Sequence, residues 1–371
     1  MKKKTRDSNI ELLRIFSMII IVLHHAIYHG VFKNLNDLNY TFLRQNFANF
    51  TISNILISGG KVSVVIFIII TGYFSSSKNF KINKIFPLLL QTSFYSMCGL
   101  ILGIFTGQYI SFFTIFKQFF PIIYSQYWFI TVYIAIYLVS PLITEALDRF
   151  SNQKNFFLMI FLVLINLLLP TFFPGSLSEV SNYFLKFVLF FITGCMLKKY
   201  SKKWSFSKKH GLILLGLCFF IYITSIFAIE IGSILLHINV FKKSLFFSNL
   251  QSPLVYLAAI GLFIVFKEMK IKNNNFINHI SKFMFGVYLI HDIKFVRPII
   301  WTKLFKLDTV LNADPLVLLY LVLLSVIIVF VSSILIEAIR SYIFQGIEMK
   351  LLDINTKIPK RLEKIFQEIK Q

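Results

Sequence analysis

Residues 9–25 read NIELLRIFSMIIIVLHH and decide the fold, because they form an apolar helical run that carries an arginine and a histidine pair. Arg14 and His25 are eleven positions apart. At roughly 100° per residue this separation closes to about 20°, so both side chains project from one face, about 16 Å apart along the axis. Titratable groups are costly in hydrocarbon and mark functional positions there. We therefore predict that this face is functional.

The composition is that of a polytopic membrane protein. Of the 371 residues, 57% are hydrophobic and only 15% are charged, and the mean hydropathy is +0.74. Long continuous apolar runs favour helices over a transmembrane barrel, whose strands would alternate. The net charge of +22 does not indicate nucleic-acid binding, because the basic residues form short clusters between apolar runs, as in loops that face anionic lipid.

The hydropathy pattern predicts an all-α bundle of about ten transmembrane helices. A further stretch at residues 109–124 is expected to lie at the interface or to re-enter the membrane. The predicted spans are roughly residues 11–29, 52–74, 85–106, 128–145, 155–174, 180–197, 211–232, 251–267, 283–301 and 315–339.

The distribution of basic residues predicts that both termini are cytoplasmic. About two thirds of the 38 Lys and Arg residues fall in segments that this orientation places inside. The domain organisation follows: residues 1–340 form one membrane domain, and residues 341–371 form a basic amphipathic tail on the cytoplasmic membrane surface. We read the first apolar run as a retained span rather than a cleaved signal peptide.

The first span holds more than one polar residue. Glu11 lies three residues before Arg14, so the two can form an ion pair. Arg14 could also simply snorkel to the interface, and His29 could sit at the opposite interface. His25 lies deeper and is not explained in that way. His24 points about 80° away, and we assign it a supporting role.

Five segments of the chain carry motifs in a set order. The first is the Arg-x10-His spacing of Arg14 and His25. The others are VVIFIIITGYF at residues 64–74, KINKIFP at 81–87, QYWFI at 126–130 with SPL at 140–142, and SKFMFGVYLIH at 281–291. Together, and in this order, they resemble the acyltransferase 3 family, the membrane O-acyltransferases of bacterial surface polysaccharides.

The resemblance implies an enzyme that takes an acyl group, most simply acetyl, from cytoplasmic acyl-coenzyme A. His25 would be the general base or would carry the acyl group transiently, and Arg14 would hold the donor or orient the site with Glu11. Lys81 and Lys84 match the family's basic loop and would contact donor phosphates. Both replace the family's usual arginines, and lysine cannot grip phosphate bidentately.

The chemistry agrees with this assignment. A sugar hydroxyl is a weak nucleophile until a base removes its proton, and histidine suits that work near neutral pH.

The candidate acceptor residues are aromatic or lie near His25. Tyr127 and Trp128 could stack on a sugar ring, although Trp128 could equally be an interfacial anchor. Tyr288 and His291 are three residues apart on one helix face and should reach the depth of His25. Lys61 could snorkel, or it could meet an anionic acceptor.

We therefore predict a multi-pass O-acetyltransferase of the bacterial plasma membrane that acts on a surface polysaccharide or a lipid-linked glycan. The expected partners are the lipid bilayer, acyl-coenzyme A and the glycan, without nucleic acid, a permanent cofactor or a metal. The main alternative is a transporter or flippase of lipid-linked sugars, because intramembrane Arg and His residues also line substrate pathways. A glycan polymerase and an acyltransferase homologue without catalytic activity are further alternatives.

Overall fold

The computed structural model describes residues 6–35, 38–75, 80, 82–175, 182–201 and 203–354, with side chains as far as residue 346. These residues form helices joined by turns, with no strand among them. The helices are α1 Ser8–Ala26, α2 Tyr40–Gln45, α3 Phe47–Ile57, α4 Gly59–Phe74, α5 Ile85–Phe105, α6 Phe112–Phe119, α7 Trp128–Arg149, α8 Asn152–Val163, α9 Leu169–Phe172, α10 Tyr183–Lys199, α11 Lys208–Leu235, α12 Pro253–Lys267, α13 Asn275–Ile280, α14 Met284–His291 and α15 Pro315–Ile354.

Seven helical segments of the described chain are long and apolar enough to cross a membrane. An eighth is reached if the 3-10 helix Phe241–Ser248 and α12, which meet at 46°, are counted as one broken span. The all-helical membrane fold is thus confirmed, whereas ten spans and the orientation of the termini are not. The seven are Ser8–Val31, Phe47–Phe74, Ile82–Phe105, Trp128–Arg149, Asn152–Phe172, Lys208–Leu235 and Pro315–Gly346.

The predicted span at residues 283–301 is not one continuous helix. Helix α14 has only 8 residues and ends at His291, and a π-helical turn over Ile299–Leu304 follows. The Arg297 side chain folds back and donates from Nε to the Asp292 carbonyl at 3.0 Å. That bond satisfies a carbonyl just beyond the helix end, where no intrahelical donor is available.

Helix α1 lies at the centre of the bundle and contacts α4, α12, α14 and α15. Asp7 caps its start by accepting a hydrogen bond from the Asn9 amide. Asn9 is in turn bonded to the turn after α12, donating to the Met269 carbonyl and accepting from the Ile271 amide at 3.2 Å. These bonds fix the height and rotation of α1, and therefore the positions of Arg14 and His25.

Two close helix contacts hold α4 in place. Gly60 packs against the ring of His24 on α1, and Gly72 lies against the backbone of α10 at Phe191. Gly194 on α10 meets α4 from the other side, at the Ile69 carbonyl. A side chain at Gly72 or Gly194 would overlap backbone atoms, so this approach depends on glycine.

The last helix runs through the predicted domain boundary at residue 340 and continues to Ile354. Residues 355–371, which hold most of the predicted surface tail, lie outside the described residues, so that prediction stands as it was made. Helix α6 in the predicted interfacial stretch has 8 residues and is too short to cross a bilayer.

Candidate active site

His25 lies at the centre of a hydrogen-bonded group of side chains from α1 and the end of α14. Its Nδ1 is 2.9 Å from Nε2 of His291 and 3.5 Å from Oδ1 of Asp292. Nδ1 of His291 lies 2.5 Å from the Val287 carbonyl within its own helix. The last residues of α14 are buried, so this group is enclosed by protein.

This geometry determines which His25 nitrogen carries the proton in the neutral site. A carbonyl can only accept, so His291 must donate from Nδ1 to Val287, which leaves its Nε2 as an acceptor. His25 therefore donates from Nδ1 toward His291 and Asp292. Its Nε2 is then unprotonated and makes no hydrogen bond to the described residues, so it is available as a base or nucleophile.

Asp292 is the carboxylate of the site, and its side chain is 3% exposed. Nη2 of Arg297 lies 2.7 Å from Oδ1 of Asp292, and this contact compensates the buried negative charge. A carboxylate beside Nδ1 holds an imidazole in one orientation and stabilises the cation that forms when Nε2 takes up a proton. His29 lies at the edge of the group, with Nε2 3.9 Å from the same oxygen.

The same residues offer a possible metal site. One ligand atom each from His25, His29 and Asp292 lie within 4.8 Å of one another. Two imidazoles and a carboxylate are a ligand set that Zn²⁺ accepts. His25 would have to give up its contact with His291 to use Nδ1 for a metal, because that nitrogen already faces the second imidazole.

Two cavities have His25 in their lining. The first, which we call the Arg14 cavity, has a volume of about 340 Å³ and follows the predicted face of α1. Arg14, Met18, Ile21 and His25 all line it. Its far end is basic, with Arg6 and Lys282 beside Ser281.

The second, which we call the Arg297 cavity, has a volume of about 660 Å³ and lies beyond the other end of α1. His25, His29, Asp292 and Arg297 line one side of it. Four residues line both cavities, namely His24, His25, Lys61 and Trp128. His25 is thus part of the wall of each cavity.

The structure brings some of the predicted first-span residues together and separates others. Arg14 and His25 share a cavity, and the Arg14 Nε is buried without a partner among the described residues. Glu11 does not form the predicted pair with Arg14 among the described residues, and its ion-pair partner is Arg6, at 3.7 Å from Oε2. Glu11 is buried and is not among the described residues that line the two cavities. His24 bonds the Ile57 carbonyl at 3.0 Å, which agrees with a supporting role.

The predicted donor lysines are not part of the described site. Lys84 lies in the 3-10 turn Ile82–Lys84 before α5, is exposed and does not line the Arg14 cavity, although Leu88, one helical turn further on, does. Lys81 lies outside the described residues. Their contact with donor phosphates stays a prediction. The described cations that line the cavity are Arg6, Arg14, Lys61 and Lys282.

The predicted acceptor residues divide into lining and supporting groups. Trp128 lines both cavities and Tyr288 lines the Arg14 cavity. Tyr127 is 3% exposed and packs its ring against Tyr288 at 6.1 Å, behind the cavity wall. His291 is fully buried and touches His25 rather than open space.

Sequence reasoning missed Asp292 and Arg297. A signal was present, because Asp292 directly follows the SKFMFGVYLIH segment and Arg297 comes five residues later. The hydropathy pattern places residues 283–301 in one apolar span, and such an average does not reveal a pair of charged side chains within it.

The described chain is thus an apolar helical bundle with a histidine–aspartate pair beside two cavities. A family model described as an acyltransferase domain matches residues 7–337, nearly the whole chain, and the protein belongs to the acyltransferase 3 family. The comparison with curated proteins and the comparison with solved structures gave no match.

Proposed function

We propose that the protein is an O-acetyltransferase that moves an acetyl group from acyl-coenzyme A to a hydroxyl of a surface polysaccharide or lipid-linked glycan. The observation that carries this proposal is the position of His25, which lines both cavities and whose Nε2 makes no hydrogen bond to the described residues. A transferase needs its donor and its acceptor to reach one base from separate sides.

The Arg14 cavity would receive the donor. Coenzyme A places its thioester at the end of a long arm, so its phosphates can stay among the cations Arg6, Arg14 and Lys282 while the acyl group reaches His25. The cytoplasmic N-terminus predicted from the basic residues would open this cavity toward the compartment that contains coenzyme A.

The Arg297 cavity would receive the glycan. Its lining combines aromatic rings with amide side chains, which suits a ligand with apolar ring faces and many hydroxyls. The rings of Trp128 and Tyr183 lie 5.0 Å apart and tilt by 38°. Other lining residues of this kind are Tyr28, Asn182, Asn249 and Gln251.

The reaction would proceed by direct transfer. Nε2 of His25 takes the proton from the acceptor hydroxyl as its oxygen attacks the thioester carbonyl carbon. The carbon–sulfur bond then breaks, and the departing thiolate takes that proton, which releases coenzyme A as its free thiol. Asp292 stabilises the imidazolium between these two events. In the alternative route Nε2 itself attacks the thioester carbonyl carbon, the carbon–sulfur bond breaks and coenzyme A leaves as its thiolate. The acceptor oxygen then takes the acyl group from the imidazole, and the proton of the hydroxyl passes to the thiolate.

The test is the transfer of labelled acetyl from acetyl-coenzyme A to envelope glycan in membranes that contain the protein. His25→Ala should abolish transfer, and His279→Ala should not, since His279 is an exposed residue of α13 that lines neither cavity. Full transfer by a folded His25→Ala variant would overturn the proposal. Movement of glycan across the membrane without acyl transfer would support the transporter alternative instead.

A further inference from the structure

The Arg297 cavity carries more positive than negative charge. Among the described residues that line it, the cations are Lys61, Lys186 and Arg297, and the one carboxylate is Asp292. Asp292 is already held by Arg297 at 2.7 Å. The two lysines come from different helices, α4 and α10, so the fold places them at the same cavity.

Lys61 holds its ammonium beside an aromatic ring at this cavity. Its ammonium lies over the ring of Trp128, 5.6 Å from the centroid, and no carboxylate of the described residues lies within 4 Å of it. The preceding residue, Gly60, packs directly against the ring of His24 on α1. Lys61 therefore lies where α4 and α1 are in close contact. It also lines both cavities.

Lys61 is half-buried in a helical segment that is long and apolar enough to cross a membrane. An ammonium there without a carboxylate within 4 Å is costly, because its desolvation is offset only by an opposite charge or strong acceptors. The cation–π contact with Trp128 offsets part of that desolvation cost. A purely neutral sugar would gain little from the ammonium, since amide and hydroxyl groups already line the cavity. A negative group on the ligand would complete the charge balance.

We propose that the acceptor is an anionic glycan, which carries a phosphate or carboxylate close to the hydroxyl that is acylated, and that Lys61 binds this group. This inference rests on the proposed function, because it assumes that the Arg297 cavity is the acceptor side.

The first experiment identifies the acylated glycan. After transfer of labelled acetyl by the membrane-embedded protein, glycans are separated by anion exchange, and the label should elute with the charged fraction. Mild acid then cleaves sugar–pyrophosphate–lipid linkages. A labelled glycan that stays charged carries the anion in its own units, and one that becomes neutral used the phosphate of a lipid carrier. If the label elutes only with neutral glycans before the acid treatment as well as after it, the acceptor is not anionic and the inference is overturned.

The second experiment measures Lys61 itself. Lys61→Gln should raise the acceptor KM about tenfold or more through the lost charge-assisted contact, while the donor KM stays the same. Lys61→Arg should retain most of the affinity, because it keeps the charge. The matched control is Lys117→Gln, since Lys117 also lies over an aromatic ring, 4.4 Å from the Phe113 centroid, but lines neither cavity.

A binding assay separates failure of this inference from failure of the proposed function. Inorganic pyrophosphate and glycerol phosphate are titrated against the protein in nanodiscs, and the tryptophan fluorescence is compared with that of Lys61→Gln. Each anion should change the emission of Trp128 in the wild type but not in Lys61→Gln. Glucose, which is neutral, should change the emission of neither protein. An identical response in both proteins would overturn the role of Lys61 whether or not acyl transfer is observed. Absent transfer together with specific anion binding would overturn the proposed function instead.

Discussion

Asp292 gives the sharpest test of how the site operates. Its Oδ1 lies 3.5 Å from Nδ1 of His25, the nitrogen that carries the proton in the resting state. When Nε2 takes up the acceptor proton, the imidazolium and the carboxylate attract each other by about 5 kcal/mol at an effective dielectric constant of ~20. Arg297, at 2.7 Å from the same oxygen, cancels part of that attraction.

We therefore expect Asp292→Asn to lower kcat by about 10²- to 10³-fold, which corresponds to roughly 3–4 kcal/mol, with little change in either KM. The asparagine keeps the size of the side chain and an oxygen that Arg297 can still contact. The assay is steady-state transfer of labelled acetyl by protein in nanodiscs, with thermal unfolding measured on the same samples.

The control is Asp308→Asn, whose carboxylate pairs with Lys33 at 3.8 Å and lines neither cavity. It should leave kcat within about twofold of the wild type, as expected for an exposed pair. A folded Asp292→Asn variant with more than a third of wild-type kcat would refute the argument that this carboxylate stabilises the His25 cation.

Four further predictions follow from the same account. Arg14→Gln should raise the donor KM about tenfold through the lost charged contact, with the acceptor KM unchanged, as read from initial rates over both substrates. The double variant Lys81→Ala/Lys84→Ala should mainly raise the donor KM. If it changed only the acceptor kinetics, a role of this loop in binding the donor would be excluded. Gly72→Leu should lower the unfolding temperature, because its side chain would meet the backbone of α10, and a temperature equal to that of the wild type would contradict the packing. A strong zinc chelator should leave transfer unchanged, and loss of activity that Zn²⁺ restores would assign a metal to the His25, His29 and Asp292 group.

The helical character of the chain and the position of the first-span site followed from local pattern. Arg14 and His25 lie in one uninterrupted helix, Ser8–Ala26, so helical periodicity alone placed both side chains on the wall of one cavity. The predicted pair of Glu11 with Arg14 was wrong because spacing along a helix does not exclude a nearer partner. Arg6, from the turn before the helix, takes that place.

The other half of the site depends on contacts across the bundle, which hydropathy cannot report. Asp292 and Arg297 lie within a stretch whose average is apolar, and they are stable there because they satisfy each other and face His25, 267 residues away along the chain from Asp292. A sliding average therefore extended one helix through residues 283–301, where the chain turns at Asp292.

The central claim is that His25 moves the proton between donor and acceptor, and single-turnover transfer by the purified protein in nanodiscs tests it most directly. His25→Gln should reduce the rate of acetyl transfer by about 10²- to 10⁴-fold, as expected for loss of a general base, while the Kd for acetyl-coenzyme A stays within about twofold of the wild type. A folded His25→Gln variant that transfers acetyl at the wild-type rate would contradict the account.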